Sequence, residues 1–296
     1  VIKSIDQYLS LLKEELAGSD RATIQDALSD AEEHLSSALD HVRETREDVS
    51  EADALLSIVQ EYGSPEETAM AYKEIEARIR PALARTTHVD DRPFVIRFFA
   101  VLADPRAWGA LLYVLFALLT GIVYFTWAVT GLSLSLGLMI LIIGMPFTVL
   151  FLLSVRGVTL VEGLLVEALL GVRMPRRSAF SSSSLGWWER FKALVAGKRT
   201  WLAIGYMLLQ LPLGVFYFVI FVTLIAFSLS FIATPVLEFV FDIPLVTFGD
   251  TAYHIPDWLT LLIAFAGVLL MPATMHLAKF AGRAHGALAK AMLVSD

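Results

Sequence analysis

The sequence has no cysteine, so it has no disulfide framework, no thiolate nucleophile and no cysteine-based metal site. Charge is scarce as well. Asp, Glu, Lys and Arg make up 18 % of the 296 residues, against about a quarter in an ordinary soluble domain. What charge there is sits unevenly. Residues 1–92 hold 21 acidic against 10 basic residues, a net of −11, whereas residues 93–296 hold 9 against 13, a net of +4. From Gly109 to Val155, 47 residues, there is no Asp, Glu, Lys, Arg or His. No P-loop, GxGxxG, GxSxG or HExxH motif occurs, and no nucleophile–base pair stands out. These absences exclude a single soluble globule, a disordered or collagen-like chain and a nucleic-acid binder driven by overall charge. They give an enzyme no support, and no cofactor is expected.

What remains is apolar: 56 % of the chain is hydrophobic and the mean hydropathy is +0.65. About 20 apolar residues cross the roughly 30 Å of a bilayer core. The run from Gly109 therefore predicts two helices, at about 108–130 and 134–155, with Thr130, Gly131, Leu132 and Ser133 as the turn. The uncharged runs Thr200–Leu237 and Trp258–Met275 predict two more, at about 201–229 and 258–280. The expected fold class is all-α: a small N-terminal helical bundle (1–80), a linker (81–93) and a polytopic four-helix membrane domain (94–296).

All the Lys and Arg of the membrane part fall on one side of this arrangement. The loop from about 230 to 257 falls on the other and carries Glu238, Asp242, Asp250 and Asp257 with no base. Basic residues mark the inner side, so the expected location is the cytoplasmic membrane, multi-pass, with both termini cytoplasmic. The first apolar run follows a long charged segment and is not read as a cleavable signal peptide.

The membrane part reads as two parallel repeats. A shift of 93 lays residues 97–125 over 190–218 without a gap, and 13 of the 29 positions are identical. Arg106/Arg199, Trp108/Trp201, Tyr113/Tyr206 and Gly121/Gly214 are among them, which apolar bias alone does not match in register. Leu-Val-Glu-Gly-Leu-Leu (160–165) resembles Arg-Ala-His-Gly-Ala-Leu (283–288), and Pro146 falls near Pro272. Arg106, Trp108, Arg199 and Trp201 are candidate interface anchors. After the second helix, Val161, Leu164, Leu165, Ala168 and Leu169 form an apolar face with Glu162 and Glu167 off it. Pro146, Pro212 and Pro272 are candidate hinges, and His276 is a candidate membrane site as a titratable group in a span. Arg173, Arg176 and Arg177 are candidates for lipid or domain docking.

The N-terminal third predicts four capped helices. Ser4 with Gln7, Ser50 with Asp53, and Ser64-Pro65-Glu66-Glu67 mark starts, and Gly18 and Gly63 mark stops. Ile24, Leu28, Ala31, Leu35, Ala38 and Val42 form a narrow apolar seam. His34 and His41, seven apart, are weighed as a metal or pH site against two boundary histidines, and the second reading is preferred.

The stretch from Ile5 to Leu39 and the later YGSPEETAMAY resemble a HAAS-type signalling domain over about residues 3–80. Trp201, Tyr206, Leu211-Pro212-Leu213-Gly214, Phe218 and Leu169-Leu170-Gly171-Val172-Arg173 resemble the four-helix "putative sensor" membrane domain over about 97–293. The resemblance implies signalling. No kinase sequence follows, so it implies an output carried by a separate partner. The expected function is a non-enzymatic membrane sensor passing the state of the membrane or of a lipophilic ligand to a cytosolic regulator. An accessory subunit of a transporter, for example of ABC type, and a structural membrane scaffold are the alternatives. Anionic lipids of the bilayer are expected contacts, a homo-oligomer is open, and no nucleic acid is expected.

Overall fold

Helix ends in the N-terminal third lie where side chains satisfy the first free amides. In a computed structural model of the chain, the described residues are 2, 4–45, 50–78, 81–84, 93–140, 144–176, 192, 195–243, 246–248, 251–253 and 256–294. Helix α1 (Ile5–Glu15) begins after Ser4, whose hydroxyl accepts from the Gln7 amide. Helix α2 spans Arg21–Thr45. Helix α3 (Glu51–Tyr62) begins after Ser50 in the same way, with Asp53 as donor. Helix α4 (Pro65–Arg78) opens on a reciprocal box: the Glu67 amide donates to Ser64 Oγ at 3.2 Å and the Ser64 amide to Glu67 Oε2 at 2.9 Å. The core of α1–α4 is Tyr8, Leu12, Leu16, Ala27, Ala31, Leu35, Leu39, Ala54, Ile58 and Ala69. The Tyr8 hydroxyl donates to Gly63 O, tying α1 to the stop of α3.

After a short helix α5 (Phe94–Ala100) and a 3-10 turn come four long apolar helices: α6 (Pro105–Leu138), α7 (Gly144–Leu170), α8 (Lys198–Phe239) and α9 (Asp257–Leu293). Each is long and apolar enough to cross a membrane. Among the described residues the fold is all-helical apart from a hairpin of two three-residue strands, β1 (Val246–Phe248) and β2 (Thr251–Tyr253), paired antiparallel.

The helices exceed the predicted spans. Helix α6 runs straight through Thr130–Ser133, so the predicted turn there is corrected. In hydrocarbon a backbone has no water to bond, and continuing the helix is what satisfies it. Gly131 serves packing instead: a Cβ there would overlap the Phe151 ring. Helix α8 continues past Pro235 to Phe239, which shortens the predicted loop 230–257. Glu238, predicted in that loop, is helical, 7 % exposed, and accepts from Thr260 Oγ1 at 2.9 Å.

The chain gathers into two compact units, one of Val1–Ala84, Thr126–Leu208 and Ala287–Asp296, the other of Arg85–Phe125 and Leu209–Gly286. In the second unit α6 and α8 meet backbone to backbone. A Cβ on Gly121 would lie 2.8 Å from Gln210 O and 2.9 Å from Leu211 Cα. One on Gly214 would lie 2.8 Å from Leu118 Cα and closer still to Ala117 O. The two contacts are reciprocal under the 93-residue shift, which carries Gly121 to Gly214, Ala117 to Gln210 and Leu118 to Leu211. Small residues four apart let membrane helices approach in this way. Beside the contact, Gln210 Nε2 donates to Thr120 Oγ1 at 3.3 Å.

Because backbone atoms stand where a side chain would go, Gly121→Val and Gly214→Val are each expected to destabilise the fold by about 1–3 kcal/mol, the usual overpacking range. Thermal unfolding in detergent checks this, and an unchanged midpoint in both variants would refute the close contact.

Candidate functional site

The first unit buries an unusual face. The opening turns of α2 bring Thr23, Gln25, Asp26 and Ser29 to within 9 % of full burial. Buried polar groups need partners, and Asp26 has several. Its Oδ2 accepts from Arg173 Nη2 at 2.9 Å and its Oδ1 from the Arg176 amide at 2.8 Å. Both arginines also meet Glu167 near the end of α7, Arg173 at 3.1 Å and Arg176 at 2.9 Å. Asp20, just before α2, pairs with Lys290 near the end of α9. The chain leaves α7 at Gly171, φ +67°, where a Cβ would strike the Leu83 carbonyl. Glycine alone meets both demands. Arg173 and Arg176 thus sit on carboxylates, while Arg177 lies outside the described residues.

Beside this network is a cavity of about 60 Å³. Arg156 of α7 and Arg199 in the first turn of α8 line it, with Gln25, Thr159, Thr200 and Met174. The two guanidiniums repel each other. Among the described residues neither has a carboxylate within ion-pair distance.

Glu162, six residues further along α7, is 1 % exposed and accepts from the Tyr206 hydroxyl at 2.7 Å. The predicted apolar face turns outward, with Val161 and Leu164 exposed, and Glu162, off that face, is buried with Gly163 and Val166. The carboxylates turn inward because Tyr206, Arg173 and Arg176 receive them. In the second unit His285, also 1 % exposed, packs against Tyr113 (ring centroids 4.9 Å apart) and Tyr217 (5.7 Å). Tyr113 and Tyr206 are matched by the 93-residue shift, and Glu162 and His285 by the alignment of 160–165 with 283–288. Those two matches were the available signal for this pairing.

The remaining predicted residues are spread out. His276 is exposed, stacks on Phe98 at 5.5 Å, and its Nε2 lies 3.2 Å from Phe98 O. One turn on, Lys279 donates to Asp104 at 2.6 Å. His276 thus holds α5 against α9. Trp108 Nε1 donates to Leu102 O and Trp201 Nε1 to Val195 O, both at 2.8 Å and both six residues back. Arg106 lies in the first turn of α6, where its amide donates to Asp104 Oδ1. Pro212 and Pro272 are inside α8 and α9. Pro146 falls in the first turn of α7, where no helical bond is lost, so it has no hinge to make. His34 stacks on Tyr62 at 4.5 Å, and the His41 carbonyl accepts from Thr45 Oγ1. Among the described residues no three His, Asp or Glu side chains gather as a metal site.

Two outcomes test this geometry. Asp26→Lys places like charges at Arg173 and should free α2, read as faster proteolysis after Arg80 or Arg85. Adding Arg173→Asp should restore much of the protection, with a coupling of about 1.5–3 kcal/mol for a charged hydrogen bond. No rescue would mean the pair is dispensable. Asp104 supplies the second test. Burial alone would raise its carboxyl, but Lys279 and the Arg106 amide outweigh it and hold it below the ordinary value of 3.8. Its contribution is then full above that value and lost as pH falls through the depressed one. Between about pH 5 and pH 2 the native chain should lose more stability than Asp104→Asn, and parallel acid-unfolding curves would contradict this.

No curated protein and no solved structure matches the chain. The sequence model of the family described as "Putative sensor" matches residues 113–293, well over half the length. The match takes in α7–α9, most of α6, and with them Arg156, Glu162, Arg199, Tyr206 and His285. The N-terminal helices lie outside it. On that match the chain, with its four long apolar helices, belongs to the "Putative sensor" family.

Proposed function

We propose that the chain is a non-enzymatic membrane sensor whose acidic N-terminal helices pass the state of the membrane helices to a cytosolic partner. The observation that carries this reading is the seating of α2: Asp26 on Arg173 and Arg176, and Asp20 on Lys290, join it to segments leaving α7 and α9. A shift of either membrane helix end changes those pairs directly. Ion pairs suit a releasable contact. Their reach is about 8 Å at physiological salt, and anionic lipid or a partner competes for the same bases. The one-sided distribution of Lys and Arg supports cytoplasmic termini. The likeness of residues 3–80 to HAAS-type domains supports a signalling output.

Purification of the full chain from native membranes with its bound proteins tests the reading. A recovered regulator or kinase is expected, in an amount changed severalfold by Asp26→Lys. Recovery of an ABC-type ATPase instead would replace the sensor by a transporter subunit. Recovery of no protein and no retained lipid would leave a scaffold.

A further inference from the structure

The cavity in the first unit poses an electrostatic problem. Arginine is rarely buried without a partner. Elsewhere in this unit the rule holds, since Arg173 and Arg176 both meet Glu167 and Arg173 meets Asp26. Arg156 and Arg199 are half-buried and share one cavity, and each adds to the other's repulsion. The acids that could relieve them are engaged: Asp26 and Glu167 by the two arginines above, and Glu162 by Tyr206. The surrounding groups favour an anion. Thr159 and Thr200 add polar residues to the cavity lining. Arg199 stands in the first turn of the 42-residue α8, where the helix dipole is positive. A volume of about 60 Å³ has room for more than one water-sized group, as a tetrahedral oxyanion requires.

We infer that Arg156 and Arg199 form a binding site for a phosphate-bearing anion, presented either by the headgroup of an acidic phospholipid or by free phosphate. One oxyanion between two guanidinium forks offsets both charges and accepts the bidentate bonds that arginine favours. The site stands apart from the sensor reading, since a partner can be absent and the anion still bind.

The test uses the full chain, first in neutral detergent with inorganic phosphate against chloride at equal ionic strength. The second arm uses bilayer discs of phosphatidylcholine alone or mixed with phosphatidylglycerol. Binding at a hundredfold excess over Kd should raise the unfolding midpoint by roughly 5 °C or more. A rise with phosphate assigns the free ion, and a rise with phosphatidylglycerol alone assigns the headgroup. Arg156→Gln and Arg199→Gln should each abolish the rise, and Arg199→Lys should keep part of it. Without anion, both Gln variants should be at least as stable as the native chain, because the opposed charges are gone. No rise in the native chain from either source, or an equal rise in the Gln variants, would overturn the site.

Discussion

A backbone in hydrocarbon must bond to itself, and much of this structure follows from that constraint. It keeps α6 helical through Thr130, Gly131 and Ser133, residues that end helices in water. It carries α8 past Pro212 and Pro235 and α9 past Pro272. Contact between the helices is left to side chains, or to their absence, as at Gly121 and Gly214.

The same constraint sets where ionisable groups go. A carboxylate on a long membrane helix can lie buried only where a neighbour receives it. Glu162 has Tyr206, and Glu238 has Thr260. At the end of α7 the solution involves α2 as well: Asp26 and Glu167 divide two arginines between them, so membrane helix and N-terminal helix are joined by one charge cluster. Breaking the cluster leaves a buried charge exposed to low dielectric, which costs more than the intact pair contributes.

Much of this was legible in the sequence because apolar run length and capping chemistry are local. Ser4, Ser50 and Ser64 begin their helices as read, and four apolar helices appear near the four runs. The errors lie where local rules meet tertiary context. Gly131 reads as a turn residue until Phe151 is seen against it. Glu162 reads only as lying off the apolar face, and its partner Tyr206 is 44 residues away. Asp26 is one acid among 30, and nothing nearby in the chain distinguishes it. Arg199 reads as an anchor, but the cavity it shares with Arg156 depends on residues 43 positions apart coming together.

The positions matched by the 93-residue shift separate what geometry demands from what chemistry adds. Where only backbone approach or a tryptophan bond is needed, the matched residues agree: Gly121 with Gly214, Trp108 with Trp201, down to the same 2.8 Å bond. Where a polar group is buried they diverge. Ala117 is matched to Gln210, and the matched tyrosines 113 and 206 meet a histidine in one unit and a glutamate in the other. Packing tolerates few residues at a close crossing, so those positions have little freedom. A buried acid and a buried imidazole are each costly, and neither is needed for packing that an apolar residue would serve. Both nevertheless stand against a tyrosine, Glu162 accepting from Tyr206 and His285 packing on Tyr113.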